Sequence, residues 1–149
     1  MPLRNCHYGS ALNLAVNGPT FPVSVSVTAA YSALLQRAHR QVPPPVAGLA
    51  LIDTGSGLCY IDQNVLQSLG VPPYSFQPTK GATGNALTLT YPASLSFPNT
   101  GIPAITFWDF VALPSLFQEH GYIAIIGRNV LSSWVVIYNG PGGSMTVAT

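Results

Sequence analysis

The feature that most constrains this chain is a carboxylate that directly follows an apolar segment. Val46–Ile52 contains only apolar residues and glycine, and Asp53 then opens the short sequence Asp-Thr-Gly-Ser at positions 53–56. Burying an unpaired charge is costly, so such a carboxylate needs a charged partner, a set of hydrogen-bond donors or a shifted pKa. The pattern therefore indicates a strand that delivers Asp53 to a functional site. The alternative is an ordinary turn that ends a strand, because Asp and Gly are common in turns.

The composition favours a β-rich fold and excludes several classes of protein. The chain has 149 residues, of which 48% are hydrophobic and 6% charged. Its apolar runs are far shorter than the roughly 20 residues of a membrane-spanning helix, so we predict no membrane span. Fourteen Gly and fourteen Pro interrupt the chain often, as in an all-β protein with many turns. The net charge of +1 without a basic patch argues against a nucleic-acid partner.

The local patterns predict a mostly β fold in one domain, residues 1–149, with no internal repeat or linker. Alternating apolar residues predict a β-hairpin from residues 12–16 and 21–28. We expect Thr28 to cap a helix over 29–40 within a helical insertion at about 29–45, and Asp62 to cap a second helix over 63–69. Further predicted elements are a long hairpin at about 77–91, strands near 94–97 and 104–111, a short helix over 128–133 and a terminal hairpin of 134–138 with 144–148.

Two further segments place the Asp53 turn in a known context. Residues 124–131 read Ala-Ile-Ile-Gly-Arg-Asn-Val-Leu, and residues 81–84 read Gly-Ala-Thr-Gly. Together with residues 50–56, Ala-Leu-Ile-Asp-Thr-Gly-Ser, these segments resemble the retropepsins, the single-domain aspartic proteases of retroviruses and their cellular and bacterial relatives. The resemblance implies a closed, mostly β acid-protease barrel with one or two short helices. It also implies that the 77–91 hairpin is a flap over the substrate.

The chemistry that the resemblance implies needs a second copy of the chain. Aspartic proteolysis uses two carboxylates about 3 Å apart that share one proton and activate a water between them. The sequence has one Asp-Thr-Gly, and its other acids, Asp62, Asp109 and Glu119, lie in no such turn. The second carboxylate is then Asp53 of another subunit, which predicts a two-fold symmetric homodimer. The expected activity is that of an aspartic endopeptidase acting on peptides or proteins, with no metal or cofactor.

The family pattern also assigns roles to individual residues. The implied catalytic residues are Asp53, Thr54 and Gly55. Thr54 resembles the threonine that reaches across the dimer, and Gly55 allows a close approach of backbone to substrate. Ser56 is of the kind that donates to the carboxylate, which would lower the pKa of the acid pair and predicts an acidic pH optimum. The implied substrate-binding residues are Ser56, Gly57, Lys80, Gly81, Ala82, Thr83, Gly84 and Ile126.

One departure from the family pattern leaves alternatives open. Many viral members have an Asp where this chain has Gly57, and that Asp pairs with the arginine of the Ile-Ile-Gly-Arg segment. Arg128 must therefore bond to Asp62, Asp109 or a backbone carbonyl, and Asp109 either faces solvent or pairs with Arg128. Two rival functions also remain, namely a catalytically silent dimeric peptide-binding module and a monomeric precursor that needs activation.

The cysteines and the first residues leave the cellular location open. Cys6 and Cys59 are far apart in the sequence and do not have the spacing of a metal site. They form either a disulfide or two free buried thiols, and free thiols are favoured. Residues 1–5 lack the apolar core of a signal peptide. If Met1 is the native start, a cytoplasmic location is expected, and otherwise the location stays open.

Overall fold

The computed structural model describes residues 3–7, 10–81 and 84–149, without the side chains of 3–7, 81, 116 and 117. Strands predominate over helices in this part of the chain. The strands are β1 (Leu3–His7), β2 (Thr20–Ser26), β3 (Val46–Ile52), β4 (Tyr60–Asp62), β5 (Ser75–Gly81), β6 (Gly84–Ser96), β7 (Ile105–Leu113), β8 (Ala124–Ile126), β9 (Val135–Asn139) and β10 (Ser144–Ala148). The helices are α1 (Ala11–Asn17), α2 (Ala29–Arg37), α3 (Gln63–Ser68), α4 (Leu116–His120) and α5 (Arg128–Leu131). None of these helices is long and apolar enough to cross a membrane.

The main sheet curves back on itself into a ring. Its strand order is β2-β3-β8-β4-β7-β6-β5, and β2 also pairs with β6, so β5 alone lies outside the ring. Two of its pairings, β3 with β8 and β4 with β7, are parallel, and the others are antiparallel. A second sheet has the order β1-β10-β9. The coarse prediction of a mostly β protein is confirmed.

The core fills the inside of this ring. Phe21, Val23 and Val25 alternate on the buried face of β2, as the sequence predicts. The ring of Phe21 meets Phe97 edge to face with centroids 5.6 Å apart, and Phe97 in turn contacts Trp134. Each fully buried side chain of this size stabilises the fold by about 1.5–3 kcal/mol relative to an exposed one. The core therefore gives β2, and with it the neighbouring strand β3, a firm position.

The first arm of the predicted N-terminal hairpin is wrong, because residues 11–17 form helix α1. The Ser10 side chain accepts a hydrogen bond from the Asn13 N–H and caps the helix, and Gly18 ends it with a φ of 71°. Only Leu14 is buried, whereas Leu12 and Val16 are 73% and 72% exposed. The apolar alternation in this segment is thus not the alternation of a two-faced strand.

The predicted count of one or two short helices is also wrong, since the described residues contain five. Two of the predicted caps are confirmed. The Thr28 hydroxyl accepts from the Tyr31 N–H at 3.1 Å, and Asp62 accepts from the first N–H groups of α3. The predicted hairpin at 77–91 is present as β5 and β6, and the terminal hairpin as β9 and β10. The predicted strand at 94–97 is the continuation of β6.

Candidate active site

Strand β3 delivers Asp53 to one end of the ring. β3 lies between β2 on one side and β8 on the other. The Asp53 N–H donates to the carbonyl of Ile126 at 3.0 Å, which extends the parallel pairing of β3 and β8 to the start of the turn. Asp53 is half-buried, so its carboxylate stays accessible to a ligand. Because β3 is paired with a strand on each side, the backbone position of Asp53 is well defined.

The turn after β3 holds the Asp53 carboxylate through its own backbone. The Gly55 N–H donates to Asp53 Oδ1 at 2.8 Å. A Cβ at Gly55 would lie 3.0 Å from the same oxygen, so a larger residue would press on the carboxylate. The hydroxyl of Ser56 donates to the carbonyl of Leu58 at 2.8 Å. The expected Ser56 bond to the carboxylate is thus absent from this single chain, where the hydroxyl closes the turn instead.

The start of helix α5 packs directly against this turn. The N–H groups of Arg128 and Asn129 donate to the carbonyls of Ser56 and Gly57 at 2.9 and 3.2 Å. A Cβ on Gly127 would lie 2.1 Å from the carbonyl oxygen of Leu58, closer than any side chain can approach. The glycine of the Ile-Ile-Gly-Arg segment is therefore required by a close backbone contact and not by a left-handed conformation.

The guanidinium of Arg128 binds the turn a second time. Its Nη1 donates to the carbonyls of Thr54 and Gly55 at 2.7 and 2.8 Å. Of the three partners predicted for Arg128, the structure selects backbone carbonyls. A Cβ at Gly57 would lie 3.6 Å from Arg128 Nη2, so an acid there would stand beside the guanidinium. In this chain the arginine positions the turn without an acid at that place. Asp109 is exposed to solvent on β7.

The buried thiol of Cys59 also belongs to the junction, by which we mean the contact between the Asp53 turn and the start of α5. Cys59 donates to Asn129 Oδ1 at 3.1 Å and accepts from the Gly127 N–H at 3.3 Å. Burial raises the pKa of Cys59 to about 11, although both hydrogen bonds oppose this shift. Cys59 is a free, neutral thiol, as predicted for it, and it acts as a packing and hydrogen-bonding residue.

A groove of about 710 Å³ lies in front of Asp53. Tyr60 and Gln63 form part of its wall on one side, and residues 111–114 at the end of β7 form another part. The inner residues of the β5–β6 hairpin cover it, with Ile125 near the carboxylate. A mostly apolar groove with a single carboxylate and a few polar groups is typical of a binding or catalytic site.

The structure brings most of the predicted site residues together. Those that line the groove are Asp53, Gly55, Ser56, Gly57, Lys80 and Gly84. Thr54 is exposed beside the groove, and Gly81 ends β5 opposite Gly84. Ala82 and Thr83 lie outside the described residues.

The structure does not place Ile126 in the groove of the single chain, and its substrate-binding role stays a prediction. Ile126 is fully buried in the core, and Ile125 lines the groove in its place. Neighbouring side chains of a strand point to opposite faces, so β8 sends one isoleucine inward and the other to the groove. The sequence alone does not distinguish the two, because both residues are isoleucine and the strand has three residues.

Sequence reasoning missed one part of the groove wall. Tyr60, Gln63 and residues 111–114 carry no motif, and they meet because β4 and β7 pair in parallel, with Tyr60 opposite Val111 and Asp62 opposite Leu113. Because these residues are far apart in the sequence, no local pattern indicates that they form one wall.

The charges around the site are few. Burial, and to a smaller extent the negative charge of Asp53, raise the pKa of Tyr122. In the described part of the chain, no three His, Cys, Asp or Glu side chains form a group that could hold a metal ion. A search against protein-family models and a search of curated proteins each find no match to this chain.

Proposed function

We propose that this chain is an aspartic endopeptidase with a retropepsin-type fold that acts as a homodimer. The observation that supports this most directly is the setting of Asp53, which stands at the end of a doubly paired strand and faces a peptide-sized groove. Its turn is held by the Gly55 N–H and by two bonds from the Arg128 guanidinium. A carboxylate that is held so firmly and remains accessible suits a catalytic group better than a simple turn residue.

The distribution of the other acids supports the need for a second subunit. Asp62 is buried and caps helix α3, and Asp109 is exposed on β7. Glu119 lies on α4, where its Oε2 is 3.7 Å from Nε2 of the adjacent His120. Among the residues that line the groove, Asp53 is the one acid. A pair of catalytic carboxylates therefore requires Asp53 of a second copy, related by a two-fold axis that passes between the two turns.

In the proposed reaction the two Asp53 carboxyl groups share one proton. The ionised group removes a proton from a water that lies between them, and the protonated group donates to the scissile carbonyl. The substrate lies extended in the groove beneath the β5–β6 hairpin and bonds through its backbone like an added strand. The apolar lining favours large apolar residues beside the scissile bond.

Cleavage of an unfolded protein between pH 3 and 8, with and without pepstatin, tests the proposal. We expect activity with an acidic optimum and at least about a hundredfold loss in Asp53→Asn, because the variant removes the group that activates water. Asp109→Asn is the matched control, since it removes an exposed carboxylate outside the groove. Equal activity in wild type and Asp53→Asn would contradict the proposal.

The mass in solution decides between the two rival functions if no cleavage occurs. A protein that is dimeric and silent at every pH would favour the peptide-binding module. A silent monomer would favour the precursor that needs activation. A fully active monomer would contradict the shared pair of carboxylates, whatever the pH optimum.

A further inference from the structure

A positively charged residue, Lys80, lines the groove together with Asp53. Lys80 is the single lysine of the chain, in which 6% of the residues are charged. It stands near the end of β5, opposite Asn85 in the hairpin that covers the groove, and it lines the groove. The remaining lining residues are neutral, and the polar ones include Gln63, Thr79 and Thr88.

Nothing in the described part of the chain neutralises this ammonium group. The one contact between an acidic and a basic side chain found there is that of Glu119 with His120, and no described carboxylate lies within 4 Å of the Lys80 nitrogen. Lys80 is exposed, so water now solvates its charge. A peptide that enters the groove beneath the hairpin removes part of that water. Binding then favours a peptide that supplies a negative charge of its own.

We infer that Lys80 determines specificity, by selecting substrates that carry an Asp or Glu side chain near the apolar residues at the scissile bond. This inference rests on the proposed function, and it refines the substrate class from apolar peptides to peptides that combine apolar and acidic residues. Lys80 makes a direct contact with the substrate carboxylate, whereas the apolar lining binds the neighbouring side chains. An acidic side chain that is only partly desolvated is expected to improve kcat/KM by about three- to tenfold over its amide.

The preference should depend on pH and salt in a defined direction. A substrate Glu is ionised above its ordinary pKa of about 4.3, so the preference is present above that pH and is lost below it. Salt screens an exposed pair, since the Debye length falls from about 10 Å at 0.1 M to about 3 Å at 1 M. The preference for Glu over Gln should therefore be greatest near pH 6 at low ionic strength.

A peptide series with matched charges tests the inference. One apolar parent peptide carries Gln, and then Glu, at each position in turn, and kcat/KM is measured for each pair near pH 6. We expect a three- to tenfold preference for Glu at one position in the wild type, none in Lys80→Met, and a preference for Lys over Gln in Lys80→Glu. Lys80→Arg keeps the positive charge and is the conservative control. Because Lys80 is exposed, thermal melts of the variants should match that of the wild type.

Two results would overturn the inference while leaving the proposed function intact. The first is cleavage with equal rates for Glu and Gln at every position. The second is an equal change of both rates in Lys80→Met, which would mean that the lysine acts on the Asp53 pair and not on the substrate. If activity is confined to low pH, cysteic acid replaces Glu, because its sulfonate remains ionised there.

Binding measurements separate the two proposals. Asp53→Asn should still bind the Glu peptide three- to tenfold more tightly than the Gln peptide, and the further change Lys80→Met should abolish the difference. If the wild type cleaves no peptide but this binding preference is found, the proposed protease function fails and the role of Lys80 stands. If the Glu and Gln peptides bind equally, or neither binds, the role of Lys80 is refuted.

Discussion

The Asp53 turn and the β5–β6 hairpin line the same groove, yet they are built in opposite ways. The turn is joined to the start of α5 by four hydrogen bonds, two from backbone N–H groups and two from the Arg128 side chain, and Gly127 leaves no space for a methyl group. The hairpin exposes large apolar side chains, with Phe76 61% and Leu87 69% accessible, and a Cβ on Gly84 would meet nothing within 4 Å.

This difference matches what each side has to do. A catalytic carboxylate needs a fixed position, because a small displacement from the productive geometry is costly in rate. A hairpin that covers a substrate needs to open and close, and it gains its packing partner only when the substrate is present. We therefore expect substitutions where the turn meets α5 to reduce stability. Substitutions of the hairpin residues that line the groove should alter substrate binding with little change in stability.

The largest effect is expected for Gly127→Ala. The new Cβ would lie 2.1 Å from the Leu58 carbonyl oxygen, so the turn and α5 must separate, at a cost of about 3 kcal/mol or more in the free energy of unfolding. Chemical denaturation measures this cost. Gly140→Ala is the control, because its Cβ would meet only a side-chain atom of Tyr138 at 3.4 Å. If the two variants lost a similar amount of free energy of unfolding, the close contact between Gly127 and Leu58 would not be the cause of the destabilisation.

A smaller effect on the free energy of unfolding is expected at alkaline pH, because burial disfavours ionisation of the Cys59 thiol. The Cys59 pKa is about 11 in the native state against 9.0 for the free thiol. Between these values the unfolded chain releases a proton that the native chain retains. The free energy of unfolding should therefore fall as the pH rises from about 9 to 11, by about 2–3 kcal/mol.

Urea denaturation of the wild type and Cys59→Ala across this pH range checks the thiol contribution. The variant lacks the thiol and should lose correspondingly less stability over the same interval, since all other titrating groups are common to both proteins. An identical pH slope in the two proteins would show that the native state does not hold the proton on Cys59.

The smallest effect on stability is expected in the hairpin. Leu87→Ser and Phe76→Ser both remove an exposed apolar side chain and should change the free energy of unfolding by less than about 0.5 kcal/mol. Leu87 lines the groove, so Leu87→Ser should lower kcat/KM by about three- to tenfold, because it removes an apolar contact with the substrate. Phe76 is the matched exposed control and should leave kcat/KM unchanged. Equal activities in both variants would remove Leu87 from the substrate site.

The elements that the sequence predicted correctly depend on interactions between near neighbours. Thr28 and Asp62 bond to N–H groups two or three residues away, so a cap is visible in a short window of sequence. The same reasoning failed for residues 11–17. There the Ser10 cap and the ending at Gly18 favour a helix, although the apolar residues alternate as in a strand. In that segment the apolar alternation favours a strand and the capping residues favour a helix, and the structure is a helix.

The site was predictable only in part, for a related reason. Asp53 was found because a carboxylate after an apolar strand is unusual within one segment. Arg128 was found as a residue, but its partners were left open, because they depend on how the turn and α5 meet across 74 residues of chain. The choice between Ile125 and Ile126 depends on the phase of a three-residue strand, which its neighbours impose.

The sequence by itself determined the mostly β character, the position of Asp53 at the end of an apolar strand, and the helix caps, since each follows from side-chain chemistry over a few residues. Only the tertiary structure decided which residues enclose the groove. The wall of Tyr60, Gln63 and residues 111–114 exists because β4 and β7 pair in parallel, and Lys80 lines the groove because the β5–β6 hairpin borders it. Such pairings depend on the whole core, because each strand is stabilised by the apolar surface that its neighbours remove from water. A short stretch of sequence does not show this combined effect.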